Sequence, residues 1–324
     1  MKFNPSISTI RAARELLARY FTATQTFPAR SLSRDGARVY LKLETELPTG
    51  SFKPRGAIYA LATNLSRREI IEVTASSTGN HGAAVAYAGK VLGRPVTIFL
   101  PKNPNPVKRD KIVALGARIV QSGAADLGQA FQQAAEYSRR PGVYFLNDAT
   151  DPDLPAGPAT IACEIAEQVP DVSAIYVPIG DTALIRGVAA AVKQLLPGVK
   201  IIGVQAERAP AYYLSWKEGH PVPTETCDTC ADGLATRTPE ADNVRMIREL
   251  VDDIVLVSEE QMLGAIRHLY EREGILAEPA GSAASAAFLA QPKDGTMVLL
   301  VTGGNISQEV RMQAGIAEAY CERE

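Results

Sequence analysis

The 324-residue sequence predicts an α/β fold built on parallel sheets. Short runs rich in β-branched residues alternate with helical stretches along its length. Most of these runs are apolar almost without interruption, as in strands covered on both faces. Turns with unusual glycine and hydroxyl content follow such runs directly, and ligands of open parallel sheets sit beyond the carboxyl ends of the strands.

The strand-like runs are Ile71 to Ala75, Val96 to Leu100, Val143 to Leu146, Ala174 to Val177, Lys200 to Val204, Ile254 to Val257 and Met297 to Val301. A helix begins near Gly82 after the first run, and another holds Val188 to Val192 after the fourth. Ser258-Glu259-Glu260-Gln261 has the order of a capping box, in which serine and glutamine side chains satisfy N–H groups at a helix start. Beyond it Met262, Leu263, Ile266, Leu269 and Tyr270 share one helical face, and Gly274 can end the helix. The strand–helix alternation implies right-handed crossovers. No linker rich in Gly, Ser or Pro marks a domain boundary.

Apolar residues make up 46% and charged residues 22%, enough apolar side chain for one large core or two lobes. The net charge is −2 with both signs spread along the chain, which offers no footprint for nucleic acid or an anionic membrane. A phosphate-bearing ligand must therefore be held locally. No apolar run reaches the roughly 18 residues of a spanning helix. Met1-Lys2-Phe3-Asn4-Pro5 lacks the apolar core of a signal peptide, so a cytoplasmic protein is expected. Cysteines stand at 163, 227, 230 and 321. The single C-x-x-C at Cys227 and Cys230 lacks the second ligand pair of a structural zinc site and reads as incidental.

The main chemical signal is Pro48-Thr49-Gly50-Ser51-Phe52-Lys53-Pro54-Arg55-Gly56-Ala57. A surface lysine needs no frame of glycines, an aromatic and a hydroxyl. A lysine that bonds a carbonyl must be held in place and partly desolvated. Four turns accompany it. Ala75-Ser76-Ser77-Thr78-Gly79-Asn80-His81-Gly82 joins a strand to a helix whose N–H groups suit a carboxylate, and Asn80 can reach a ring oxygen; an ordinary N-cap is the competing reading. In Pro178-Ile179-Gly180-Asp181-Thr182-Ala183-Leu184-Ile185-Arg186-Gly187, backbone N–H groups from Gly180 to Leu184 could cradle a phosphate; a plain turn capped by Asp181 competes. Thr302 in Val301-Thr302-Gly303-Gly304-Asn305 can hydrogen-bond a ring nitrogen, against a plain turn. Glu278 stands in a small-residue apolar stretch, where a buried carboxylate needs a partner.

Together these turns resemble the fold-type II pyridoxal-phosphate enzymes over residues from about Arg30 to Ser307. The closest likeness is to the serine/threonine dehydratase group, which also holds serine racemase and the hydroxyectoine-utilisation dehydratases. The resemblance implies a tryptophan-synthase-beta-like fold of two open twisted α/β lobes. Residues 1–68 and 150–324 would form the large cofactor-binding domain, and 69–149 a small inserted α/β domain. It further implies Lys53 as the Schiff-base lysine, Phe52 against the ring and Asn80 on the phenolic oxygen. The phosphate falls to Gly180, Asp181, Thr182, Ala183 and Leu184, the pyridine nitrogen to Thr302, and a place near the cofactor to Glu278. Ser77, Thr78, Asn80 and His81 take the substrate carboxylate. Thr78 also occupies the slot of the second-face catalytic serine of serine racemase, which argues against efficient racemisation. The phosphate turn keeps only Gly180 and Gly187 of the usual glycines. Of the family's divalent-cation loop, Glu207 and Ala211 match, but Tyr213 replaces the acidic ligand, so no resident metal is expected. The chain ends soon after Thr302, which leaves no room for the regulatory domain of biosynthetic threonine deaminases.

The implied activity is dehydration and deamination of a 3-hydroxy amino acid of the L-threonine or L-serine type to a 2-oxo acid and ammonia. Pyridoxal phosphate is the implied cofactor and a homodimer the implied assembly, with neither nucleic acid nor membrane as partner. The alternatives are an amino-acid racemase, a lyase for 3-hydroxyaspartate, phenylserine or a hydroxyectoine-derived substrate, and a non-catalytic binding protein of the same fold. An intact Lys53 disfavours the last of these.

Overall fold

The computed structural model describes residues 4–102, 106–121, 123 and 127–316, and Cys321 lies outside them. The strands among them are β1 (Thr26–Pro28), β2 (Ala37–Leu43), β3 (Glu72–Ser76), β4 (Val96–Leu100), β5 (Arg118–Gln121), β6 (Val143–Phe145), β7 (Ala174–Pro178), β8 (Lys200–Ala206), β9 (Asp253–Val257) and β10 (Gly295–Val301). Every ladder is parallel except that of β1 with β2, as the expected α/β class requires. All seven runs identified in the sequence become strands, with ends shifted by at most two residues. Among the described residues no helix is long and apolar enough to cross a membrane.

The chain divides into two compact units. The first takes in the chain up to Thr24, Glu46–Gln168 and Asp181–Gly198. Its sheet has the order β5-β4-β3-β6. Thr74 of β3 lies beside Phe145 of β6, so the two strands exit at the same edge, one into Ser77-Thr78 and the other into Asn147-Asp148. Its core joins Val73, Ala75, Ile98 and Leu100 of the sheet to Ala57, Ile58 and Leu61 of the Lys53–Arg67 helix. Ala84, Val85 and Ala88 of the Asn80–Val91 helix complete it. The segment 69–149 contains all four of these strands. The compact unit is larger, adding the Ile7–Leu17, Lys53–Arg67, Ala156–Gln168 and Ala183–Leu195 helices.

The second unit takes in Gln25–Thr45, Val169–Gly180 and the chain from Val199. Its sheet has the order β1-β2-β10-β7-β8-β9. Leu299 of β10 is in register with Tyr176 of β7, so Val301 and Pro178 end level at one edge. Val39, Leu41, Val204, Leu299 and Val301 form its core with Ala283, Ala284, Ala287 and Phe288 of the Pro279–Ala290 helix. The ring of Phe288 meets Tyr176 edge-on at 6.1 Å. The capping box at Ser258 forms with both of its hydrogen bonds, and Gly274 ends that helix at φ 70°.

β1, β2 and β5 were not among the expected strands. β2 carries a fully buried Lys42 and an exposed Arg38, which break its apolar pattern. β5 is a sheet-edge strand with exposed Arg118 and Gln121 at its ends. β1 is three residues long.

Candidate active site

Lys53 is the first residue of the Lys53–Arg67 helix, where Pro54 is tolerated because N–H groups of a first turn have no partner within the helix. The backbone there is clamped. Arg55 is 1% exposed and donates to both carboxylate oxygens of Glu164, at 2.6 and 2.9 Å, and to the Thr160 hydroxyl at 2.9 Å. A Cβ on Gly157 would fall 2.2 Å from the Arg55 carbonyl oxygen, so only glycine lets the Ala156–Gln168 helix approach this closely. The Lys53 side chain is 16% exposed and its Nζ lies 5.2 Å from the Phe52 ring centroid.

Lys53 Nζ donates to Asp148 Oδ2. Asp148 Oδ1 faces His81 Nδ1 at 3.4 Å, and His81 Nε2 lies 2.9 Å from the Leu146 carbonyl oxygen. Burial acts to raise the Asp148 carboxyl, but the charges of His81, Lys53 and Arg186 and the hydrogen bond from Lys53 outweigh it and hold the group below the usual carboxylate range. Asp148 had not been singled out from the sequence. Its signal was a polar Asn-Asp pair just past an apolar run, beside the exit of the strand that leads to Ser77.

The Ser77-Thr78-Gly79 turn ends at the Asn80–Val91 helix, whose N-cap is Gly79 with no side-chain capping bond. Gly79 N–H donates to Ser77 Oγ at 3.2 Å, and a Cβ on Gly79 would meet nothing within 4 Å. Open space therefore adjoins this helix start. His81, by contrast, is 5% exposed with its ring turned inward.

The Ala183–Leu195 helix likewise lacks a side-chain cap. Its N-cap is Thr182, not Asp181, and Thr182 has φ 68°, the one positive value at a non-glycine among the described residues. Its hydroxyl accepts from Arg186 Nε at 3.0 Å, while Arg186 donates through another nitrogen to the Ala149 carbonyl at 3.1 Å. One buried guanidinium thus ties the candidate phosphate turn to the residue after Asp148.

In the second unit a Cβ on Gly180 would fall 2.1 Å from the Gly233 carbonyl oxygen, so that position also admits only glycine. Thr302 is 4% exposed, and its hydroxyl has a long 3.4 Å contact to the Ala280 carbonyl. Glu278 is the N-cap of the Pro279–Ala290 helix without a side-chain capping bond, and its N–H donates to the Gly303 carbonyl at 3.0 Å. Glu207 follows β8, and Tyr213 N–H donates to Gln205 Oε1 at 2.8 Å. No three His, Cys, Asp or Glu side chains group as a metal site among the described residues. Cys230 is pushed up to about 12 by burial and by its hydrogen bond to Glu259, so it stays a thiol.

The profile of the family described as pyridoxal-phosphate dependent enzyme matches residues 17–303. The chain is 36% identical over 273 residues to the L-threonine ammonia-lyase of Thermotoga maritima, covering 84% of this chain and 68% of that protein. Among solved structures it is similar to a T.th. threonine deaminase, with TM-score 0.87 and 32% identity over 94% of this chain and 99% of that one. It is also similar to maize serine racemase, with TM-score 0.89 and 27% identity over 96% of each chain.

Proposed function

We infer that this chain, which belongs to the family of pyridoxal-phosphate dependent enzymes, is an ammonia-lyase for a 3-hydroxy amino acid of the L-threonine or L-serine type. The observation that carries the reading is Lys53 itself: a largely buried amine on a clamped helix start. The same unit supplies two helix starts without side-chain caps, at Asn80 and Ala183. Helix N-termini favour anions through their N–H groups and the helix dipole. These residues fit the cofactor.

When bound, pyridoxal phosphate supplies an aldehyde for amines and a ring that accepts the electron pair released at Cα. Lys53 Nζ would hold the cofactor covalently and would serve as the base that takes the Cα proton. N–H groups at Ala183 and Leu184 bind the phosphate, while Thr182 holds the turn open. Ser77, Thr78 and the N–H groups at Asn80 and His81 bind the substrate carboxylate, and the Asn80 amide serves the ring oxygen. Thr302 and Glu278 keep the roles their motifs suggest, Thr302 as neutral partner of the ring nitrogen. The β-hydroxyl departs as water, and hydrolysis of the released enamine gives the 2-oxo acid and ammonia. We further propose a cytoplasmic homodimer.

The test is 2-oxo acid and ammonia release from L-threonine, L-serine, 3-hydroxyaspartate and phenylserine, with D-amino acid measured in parallel. Product from L-threonine or L-serine supports the reading. D-amino acid without 2-oxo acid overturns it in favour of a racemase.

A further inference from the structure

We propose that Asp148 is a specificity-determining residue, which admits 3-hydroxy amino acids with uncharged side chains and excludes those that carry a second carboxylate. This rests on the ammonia-lyase reading above. In that reading the amine end of the amino acid meets Lys53 and the carboxylate end meets the turn from Ser77 to His81, and both anchors lie against Asp148. Its Oδ2 accepts from Lys53 Nζ, and its Oδ1 faces His81 Nδ1 at 3.4 Å. A substrate Cα held between the two anchors therefore has the Asp148 carboxylate for a neighbour.

The two oxygens of that carboxylate differ. Oδ1 is enclosed, with no hydrogen-bond partner among the described residues. The whole Asp148 side chain is 17% exposed, beside a Lys53 side chain that is 16% exposed. The exposed surface does not belong to Oδ1, which leaves Oδ2 as the oxygen presented beside the amine.

The carboxylate is also fixed in place. Asn147 Oδ1 accepts from the Ala149 N–H at 2.9 Å and from the Thr150 N–H at 3.4 Å, which closes a turn around Asp148. Arg186 donates to the Ala149 carbonyl at 3.1 Å, and His81 Nε2 lies 2.9 Å from the Leu146 carbonyl oxygen. The chain is thus tied on both sides of Asp148, and the group has little freedom to retreat from a like charge. Burial acts to raise its pKa, but neighbouring cations keep it below the usual carboxylate range, so it is an anion at neutral pH.

An ionised carboxylate only accepts hydrogen bonds. The β-hydroxyl of serine or threonine can donate to Oδ2. In 3-hydroxyaspartate Cβ also carries a carboxylate, which sets acceptor against acceptor and charge against like charge. Such a repulsive element is an effective means of rejecting a near relative of the substrate. Arg186 does not offset it, because this buried side chain gives Nε to the Thr182 hydroxyl at 3.0 Å and another nitrogen to Ala149.

The experiment compares kcat/KM for L-serine and 3-hydroxyaspartate, read as 2-oxo acid release by the cofactor-loaded full-length protein. The ratio cancels any effect of a substitution on steps that the two substrates share. The parent is expected to favour L-serine by on the order of 100-fold, and Asp148→Asn, which keeps the shape and removes the charge, to narrow that ratio by about tenfold or more. A parent preference below about tenfold, or an unchanged ratio in folded Asp148→Asn, overturns the inference. If Asp148→Asn does not fold, Asp148→Ser is read in the same way. Binding gives a second readout. L-asparagine and L-aspartate have the same shape and no β-leaving group, and their affinities follow from the shift in cofactor absorbance. The parent should hold L-asparagine more tightly by about tenfold or more, and Asp148→Asn should lose that preference. Equal affinities in the parent overturn the inference. No 2-oxo acid from either substrate refutes the ammonia-lyase reading instead, and the binding ratio then decides on Asp148 alone.

Discussion

Removing the Arg55 cation tests whether the start of the Lys53 helix is held by the buried fork beneath it. Arg55 is 1% and Glu164 7% exposed, so neither charge has water to fall back on. The guanidinium spans both Glu164 oxygens, Thr160 Oγ1 and, at 3.3 Å, Thr24 Oγ1, and it lies 5.5 Å from the Phe21 ring centroid. Arg55→Met keeps most of the stem but leaves the Glu164 carboxylate with weak donors, the Thr24 N–H at 3.3 Å and hydroxyl at 3.4 Å. Breaking a buried pair from one side costs about 3–5 kcal/mol, because the abandoned charge stays desolvated. Replacing both partners removes that charge, so Arg55→Met with Glu164→Leu should be less destabilised than Arg55→Met alone. Urea unfolding followed by circular dichroism gives the free energies. A cost under about 1 kcal/mol for Arg55→Met, or a double variant no better than the single, refutes the reasoning.

Gly180→Ala puts a methyl 2.1 Å from the Gly233 carbonyl oxygen, so the turn must move, and cofactor retention through dialysis should fall while the far-UV spectrum is kept. Thr182→Gly and Thr182→Val both lose the bond from Arg186, but glycine also adopts the left-handed region freely, so Thr182→Val should be the less stable of the two by about 1–3 kcal/mol. Thermal or urea unfolding separates the two. Cys230 should resist iodoacetamide in mildly alkaline buffer, because burial first and Glu259 second keep its proton on up to about pH 12. Glu259→Gln removes the negative charge beside the thiol, lowers its pKa and should speed labelling.

Much of this layout was legible in the chain. The runs that became β3, β4, β6 and the four strands β7 to β10 are apolar because both faces of a parallel sheet are covered, and that pattern survives in sequence. β2 was hidden because the buried Lys42 and the exposed Arg38 interrupt its apolar pattern. The motif order pointed to Lys53, but not to what its amine touches. Asp148 is 95 residues away in sequence and reaches the lysine through the parallel pairing of β6 with β3. Thr182 reads as an ordinary helix-start threonine; its left-handed backbone shows only once Arg186 is seen folded back on it. His81 stood in the turn expected to meet the substrate carboxylate, and its inward ring follows from the nearby Leu146 carbonyl and Asp148. Residue type and order report the backbone of such a site, whereas its electrostatics come from side chains that meet only after the sheet forms.

Reduction of the cofactor-loaded protein with borohydride, followed by proteolysis and mass spectrometry, bears most directly on the central claim. The account predicts a reduced pyridoxyl-phosphate adduct on the peptide that contains Lys53 and none in Lys53→Ala. An adduct on a different lysine, or an unmodified Lys53 in a protein that retains the cofactor, contradicts it.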